Sequence, residues 1–176
     1  MYRDRPRLQV ATPTLAKFIE YVALLAMLGY LIYLITQWSR LPDTIPTHYT
    51  IGNVPDRYGS KIHVLIPVLI GLVCYIGCGF IQRRPHVMNF PVEITKENAP
   101  YYYYEGVLMM SLIRSGLLFF FLIVEADQLY TLLYGKAFLG IYATVIGLIL
   151  IFLPLPIGIY RLVRVSRRLK DATKNS

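Results

Sequence analysis

Residues 38–61 read WSRLPDTIPTHYTIGNVPDRYGSK, a polar stretch between two long apolar runs, with one histidine, two aspartates and a lysine set among prolines and glycines. His48, Asn53, Asp56 and Lys61 together supply an imidazole, an amide, a carboxylate and an ammonium. Such a cluster can bind a peptide, a lipid head group or a cation, and loops that carry specific polar residues are disproportionately functional. The same residues also read as staples: Asp56 capping a turn, His48 satisfying carbonyls, Lys61 snorkelling at the start of a helix. A metal site from His48, Asp56 and His63 is chemically conceivable, since imidazole and carboxylate suit zinc. Their spacing matches neither a helical HExxH nor an EF-hand, so no metal is assigned.

A second group of chemistry-bearing residues lies within apolar runs. Arg114 is expensive in a bilayer unless it faces protein or water. It can belong to a polar pathway, or it can tether helices through carbonyls, tyrosine hydroxyls or Glu20 of the first span. Glu125 falls on the same helical face as Arg114 and Gln128, with Glu105 opposite. Arg114 and Glu125 are about 16 Å apart along the axis and are not a direct pair. Glu20 is within reach of Lys17 at i,i+3. Ser39, Ser60 and Ser111 stand in no GxSxG-like setting. No catalytic residue and no cofactor is assigned, and an enzyme is not the favoured class.

The remaining chain must position these groups. A length of 176 residues gives one domain, and a hydrophobic content of 56% exceeds what a soluble core of this size needs. Mean hydropathy is +0.50, which suits a protein solvated largely by lipid. The expected fold is an all-α bundle of four transmembrane helices at about residues 15–38, 62–81, 105–125 and 137–160. Between them lie an outer loop (39–61), a cytoplasmic loop (82–104), a short loop with Lys136 and a basic tail (161–176). Gly59-Ser60 precedes the second span as turn and N-cap, and Thr95 or Asn98 caps the third. A short hairpin is expected around residues 48–51, where THYTI runs into Gly-Asn.

Packing features follow from residue size. Gly71, Cys74 and Cys78 form a small-residue stripe, and Gly140, Thr144 and Gly147 form another. Whether these faces pack within one chain or between two copies is left open. The two cysteines sit on one helix face, too remote for a structural disulfide. Tyr101 to Tyr104 read as an interfacial belt, and Trp38 as an interfacial anchor. Pro154 and Pro156 should kink the last third of the fourth span. The tail should form an interfacial helix that frays. The N-terminal apolar run is about twice the length of a signal h-region, so it is expected to be retained.

The net charge of +8 is distributed as a membrane protein's. Of 18 Lys and Arg, 13 lie at the two termini or in the second loop and 4 in the other two loops. Basic residues flanking apolar helices report orientation rather than phosphate binding, which excludes nucleic acid as a partner. The positive-inside rule then places both termini in the cytoplasm and residues 39–61 outside.

The pattern LP-x-x-IP-x-H, then Gly, then D-x-x-G-x-K is carried by Leu41, Pro42, Ile45, Pro46, His48, Gly52, Asp56, Gly59 and Lys61. It resembles a bacterial membrane domain of unknown function that also forms the N-terminal part of immunity proteins against a sporulation-delaying toxin. NFPVEITKENA is similar to a second motif of stand-alone members, through Asn89, Pro91, Thr95 and Asn98. The likeness covers about residues 38–114 and implies a multi-pass protein of the bacterial cytoplasmic membrane, with toxin immunity and signalling in the best-understood relatives. Those relatives carry further spans after the shared domain, where this sequence has about one helix.

The function expected is a non-enzymatic membrane binding or regulatory protein whose outer loop recognises a peptide, lipid or partner membrane protein. The alternative is a small transporter or membrane enzyme acting on a lipid-linked substrate through His48, Asp56 and Lys61.

Overall fold

The computed structural model describes residues 5–50 and 54–174. Among the described residues, five α-helices and one strand pair occur in the order α1 (Thr14–Gln37), β1 (Thr44–Tyr49), β2 (Pro55–Ser60), α2 (Leu65–Gln82), α3 (Ala99–Tyr134), α4 (Ile141–Phe152) and α5 (Pro154–Lys174). Four helical stretches are long and apolar enough to cross a membrane: Thr14–Arg40, Lys61–Gln82, Ala99–Tyr134 and Ile141–Ala172. The chain is a multi-pass membrane protein in architecture, with a small sheet added to a helical bundle.

α3 is the axis of the bundle and touches each of the other four helices. α1 meets it through Ala23, Met27, Tyr30 and Leu34, spaced as one helical stripe, while Leu25 and Ile35 on the other faces are 66% and 73% exposed. Apolar surface of this extent is unfavourable in water by about 25 cal/mol per Å² and is neutral against lipid tails. The α1–α2–α3 core includes Leu41 and Ile45, so the segment after α1 is built into it. A second cluster at the opposite end joins Ile94, Ala99, Tyr102, Tyr103 and Leu162.

α3 is much longer than the span expected from its apolar run. Its 36 residues reach about 54 Å, against about 30 Å of hydrocarbon. Pro100 sits in its first turn, where a missing N–H is harmless, and nothing breaks the helix until Gly135 at φ 72°. Thr95 and Asn98 do not cap α3 with their side chains. They exchange hydrogen bonds across the preceding turn, Thr95 N–H donating to Asn98 Oδ1 at 2.9 Å. The early start also revises the tyrosine belt. Tyr101 is 55% exposed, but Tyr102 and Tyr103 are 2% and 0% exposed, because consecutive residues on a helix point about 100° apart.

The fourth span divides at Leu153 into α4 and α5, as Pro154 has no N–H to continue the ladder. The basic tail is a continuation of α5 through Lys174 rather than a separate surface helix. It docks on the start of α3 through a 2.6 Å Tyr102–Ser166 hydroxyl contact and a bidentate Arg161–Glu105 pair at 2.5 and 2.9 Å. The N-terminal segment arrives at the same end: Tyr103 Oη donates to the Pro6 carbonyl at 3.0 Å, and Arg5 donates to the Met88 carbonyl at 2.6 Å.

On α2 the buried stripe is Val68, Gly71, Tyr75, Gly79 and Gln82. Cys74 and Cys78 are half-buried free thiols, so only Gly71 of the expected stripe faces the core. The glycines, not the cysteines, lie where Phe121 and Arg114 cross the helix.

Asp127 organises the α3–α4 turn. Its Oδ1 accepts from the Phe138 and Leu139 N–H groups at 3.0 and 2.6 Å, and its Oδ2 from Gly140 at 2.9 Å. A carboxylate accepting several N–H groups at a helix start is strongly favourable. Asp127→Ala is therefore expected to lower stability by about 2 kcal/mol, and Asp127→Asn by less. Denaturant titration of the detergent-solubilised protein measures both.

Candidate functional site

β1 carries β-branched and aromatic residues, TIPTHY, and pairs antiparallel with β2. Register runs Thr44–Ser60, Ile45–Gly59, Pro46–Tyr58, His48–Arg57 and Tyr49–Pro55, with irregular steps on both sides of His48. Such bulges re-aim a side chain at a strand edge. The hairpin is wider than the one expected around residues 48–51. Its tip, with Gly52 and the candidate ligand residue Asn53, lies outside the described residues.

A histidine–carboxylate hydrogen bond and a lysine–aspartate ion pair sit at the two ends of this hairpin. Near the tip, His48 Nδ1 and Asp56 Oδ1 are 2.6 Å apart, with side chains 59% and 40% exposed. At the base, Lys61 Nζ lies 2.9 Å from Asp43 Oδ1 and 5.5 Å above the Trp38 ring. The four residue steps from Thr44 to His48 separate the pairs by about 13 Å of strand. His48, Asp56 and Lys61 are thus not one cluster. His63, the third member of the conceivable metal set, turns away: its Nδ1 donates to the Ser60 carbonyl at 2.7 Å. Among the described residues no three His, Cys, Asp or Glu side chains converge as metal ligands. Ser60 also caps the turn Lys61–Val64 that leads into α2, as expected, its Oγ accepting from Ile62 N–H.

Beneath the hairpin is a cavity of about 180 Å³ lined by Ile45, Pro46 and Thr47 of β1, by His63, Val64, Ile66 and Pro67, and by Glu125 and Gln128 of α3. Gln128 Nε2 donates to the Pro46 carbonyl at 3.3 Å and ties hairpin to helix. Glu125 is 4% exposed, and its Oε2 has no hydrogen-bond partner among the described residues.

The other two intramembrane polar residues belong to a separate layer toward the opposite end. Glu20 Oε1 accepts from Gln82 Nε2 at 3.0 Å and from the Ser111 hydroxyl in a very short contact, and it lies 3.8 Å from Arg114 Nε. Arg114 also donates to Gln82 Oε1 at 3.0 Å and stacks 3.9 Å over the Tyr75 ring. Glu20 is thus engaged across the bundle rather than with Lys17. Arg114 is central in α3, yet its side chain reaches Gln82, the last residue of α2, so its charge is carried toward a helix end. Glu105 lies apart from it, as expected, paired with Arg161.

Sequence reasoning missed Asp43, Gln82, Ser111 and Arg161. Each finds its partner only through folding, across 18 to 91 residues of chain. Buried polar character at i,i+3 from Glu125 did mark Gln128, but the cavity it lines needs the hairpin in place.

A family model described as "Domain of unknown function (DUF1648)" matches residues 25–72, which run from the latter part of α1 through the hairpin into α2. An uncharacterized protein of the archaeon Archaeoglobus fulgidus is 33% identical over 102 residues, covering 48% of this chain and 56% of that protein. The chain thus spans about half the length of the curated relative it matches. No solved structure matches.

Proposed function

We propose that this chain is a non-enzymatic binding or regulatory protein of the cytoplasmic membrane, with both termini cytoplasmic and the hairpin presented outside. The basic residues at the termini and second loop support that orientation. The observation that carries the binding reading is the division of labour in β1. Ile45, 1% exposed, and the Gln128–Pro46 bond hold the hairpin on the bundle, while the His48–Asp56 pair stands outward in solvent. A pair with so little to staple is available to a partner. The resemblance to immunity-protein domains read from the sequence motif alone points to a peptide or a partner membrane protein as ligand. A transporter reading would need Arg114 free to change partners, whereas Glu20, Gln82 and Tyr75 enclose it.

His48→Ala and Asp56→Ala are expected to change unfolding stability by no more than about 1 kcal/mol, the net value of a solvent-exposed hydrogen bond. The same variants, embedded in nanodiscs and titrated with amphipathic peptides and with anionic vesicles, should bind the responding probe at least tenfold more weakly than wild type. Variants that melt far below wild type, or that bind every probe unchanged, would overturn this reading.

A further inference from the structure

The cavity under the hairpin is chemically distinct from the exposed pair at its tip. Its rim is formed by exposed residues, Thr47, His63 and Ile66, and its floor by the buried Ile45, Val64 and Glu125. It therefore runs from the surface down to a carboxyl group that no basic side chain among the described residues pairs with. Burying an ionised carboxylate is strongly unfavourable without a counter-charge. Glu125 Oε2 also lacks a hydrogen bond among the described residues; it shares this with the Tyr30, Tyr75 and Ser115 hydroxyls and Arg114 Nε, and of these five atoms it is the one whose residue lines this cavity.

The lining discriminates among ligands. An anion finds no lysine or arginine in the lining. A neutral apolar group would leave Oε2 desolvated and unpaired. A divalent cation such as calcium draws on carboxylates, usually more than one, and Glu125 is the one carboxylate of the lining. The apolar walls, Ile45, Pro46, Val64, Ile66 and Pro67, suit a carbon stem, and the volume of about 180 Å³ is well beyond a single water's share of about 30 Å³. A quaternary ammonium is recognised by an aromatic cage, and the lining holds no Phe, Tyr or Trp. A primary ammonium brings three donors. Glu125 Oε2, the Thr47 hydroxyl and Gln128 Oε1, left over when Nε2 binds Pro46, can receive them.

We propose that the cavity beneath the hairpin is a binding site for a primary alkylammonium group, with Glu125 as its counter-ion. The inference rests on the reading of the hairpin end as the binding end, and it names the chemistry recognised there. A lysine side chain of a peptide and the ethanolamine head group of a phospholipid both present this group on a short carbon stem.

Full-length protein in maltoside micelles, melted in the presence of n-butylammonium, tetramethylammonium or n-butanol, tests it. Butylammonium should raise the melting temperature saturably, and the other two should not. Glu125→Gln should weaken the butylammonium response at least tenfold. Ile66→Trp, a substitution at the exposed rim, should do the same without lowering the melting temperature of the free protein, which guards against a variant that merely misfolds. His48→Ala should keep the response. An equal response from Glu125→Gln or Ile66→Trp, or from tetramethylammonium, would overturn the proposal. If butylammonium is silent on wild type while peptides or vesicles still bind through His48 and Asp56, the cavity inference falls and the binding reading stands; if both are silent, both fall. Nanodiscs of phosphatidylethanolamine against phosphatidylcholine, and a lysine peptide against its acetyl-lysine form, identify the source by which of them competes with butylammonium.

Discussion

Arg114→Ala is expected to lower the unfolding free energy by about 3–5 kcal/mol, the range for breaking one side of a buried charge pair. The change removes more than an attraction. Glu20 and Arg114 are each 15% exposed, so truncating the arginine leaves a buried carboxylate with only the neutral donors Gln82 and Ser111. It also vacates the space over Tyr75 and against Gly79, where the guanidinium now packs. Removing both charges should behave differently. A Glu20→Leu/Arg114→Met double variant is expected to recover most of the loss, because apolar replacement of a buried pair is often neutral or stabilising. Unfolding by sodium dodecyl sulfate titration from mixed micelles measures all three proteins on one scale. A single-variant loss below about 1 kcal/mol, as between two solvated groups, would mean that the layer is open to water.

Gly116→Ala should destabilise by about 1–3 kcal/mol, the usual effect of overpacking a close contact. A Cβ at position 116 on α3 would run into the backbone carbonyl of Leu150 on α4 and lie 3.3 Å from the Ile151 Cα. Backbone cannot rotate aside as a side chain can, so α4 must move away. The gain in helix propensity on replacing glycine, about 1 kcal/mol, is too small to offset this reliably. Gly29→Ala and Gly77→Ala supply the contrast. Nothing lies within 4 Å of a Cβ built at either position, so both are expected to be neutral or slightly stabilising. This contrast bears on assembly. Gly71, Gly79, Gly116, Gly147 and Gly158 all face groups of the same chain, so these close approaches are used within one bundle. Among the described glycines within helices, Gly29 and Gly77 are the open ones. A loss of oligomer in sedimentation of Gly29→Ala or Gly77→Ala would place a contact between copies on α1 or α2.

How far the sequence reached depends on the range over which each determinant acts. Membrane character, four spans, the turn at Ser60 and the break at Pro154 were legible, because each rests on composition or on one residue's backbone chemistry. The strand pair was half legible: THYTI signalled a strand, but the partner PDRYGS has a proline and a glycine and little alternation of its own. Pairing to β1, with Ile45 seated in the bundle, makes it a strand. The ends of α3 were not legible. Apolar content marks the part that lipid solvates, whereas the added turns are held by Tyr102, Tyr103 and Glu105 against residues 6–10 and α5.

For the candidate site, the sequence marked a segment and a set of polar side chains that need partners, because lipid excludes polar groups and leaves few places for them. It determined that His48, Asp56, Lys61, Glu20, Arg114 and Glu125 must each be accommodated. Folding assigned the partners. It split His48–Asp56 from Lys61–Asp43 by the length of a strand, joined Glu20 to Arg114 across 94 residues of chain, and left Glu125 facing a cavity. The difference is one of range. Burial preference belongs to a residue and is written locally, whereas a hydrogen bond or ion pair exists only at about 3 Å, a distance that the packing of helices on α3 alone can set.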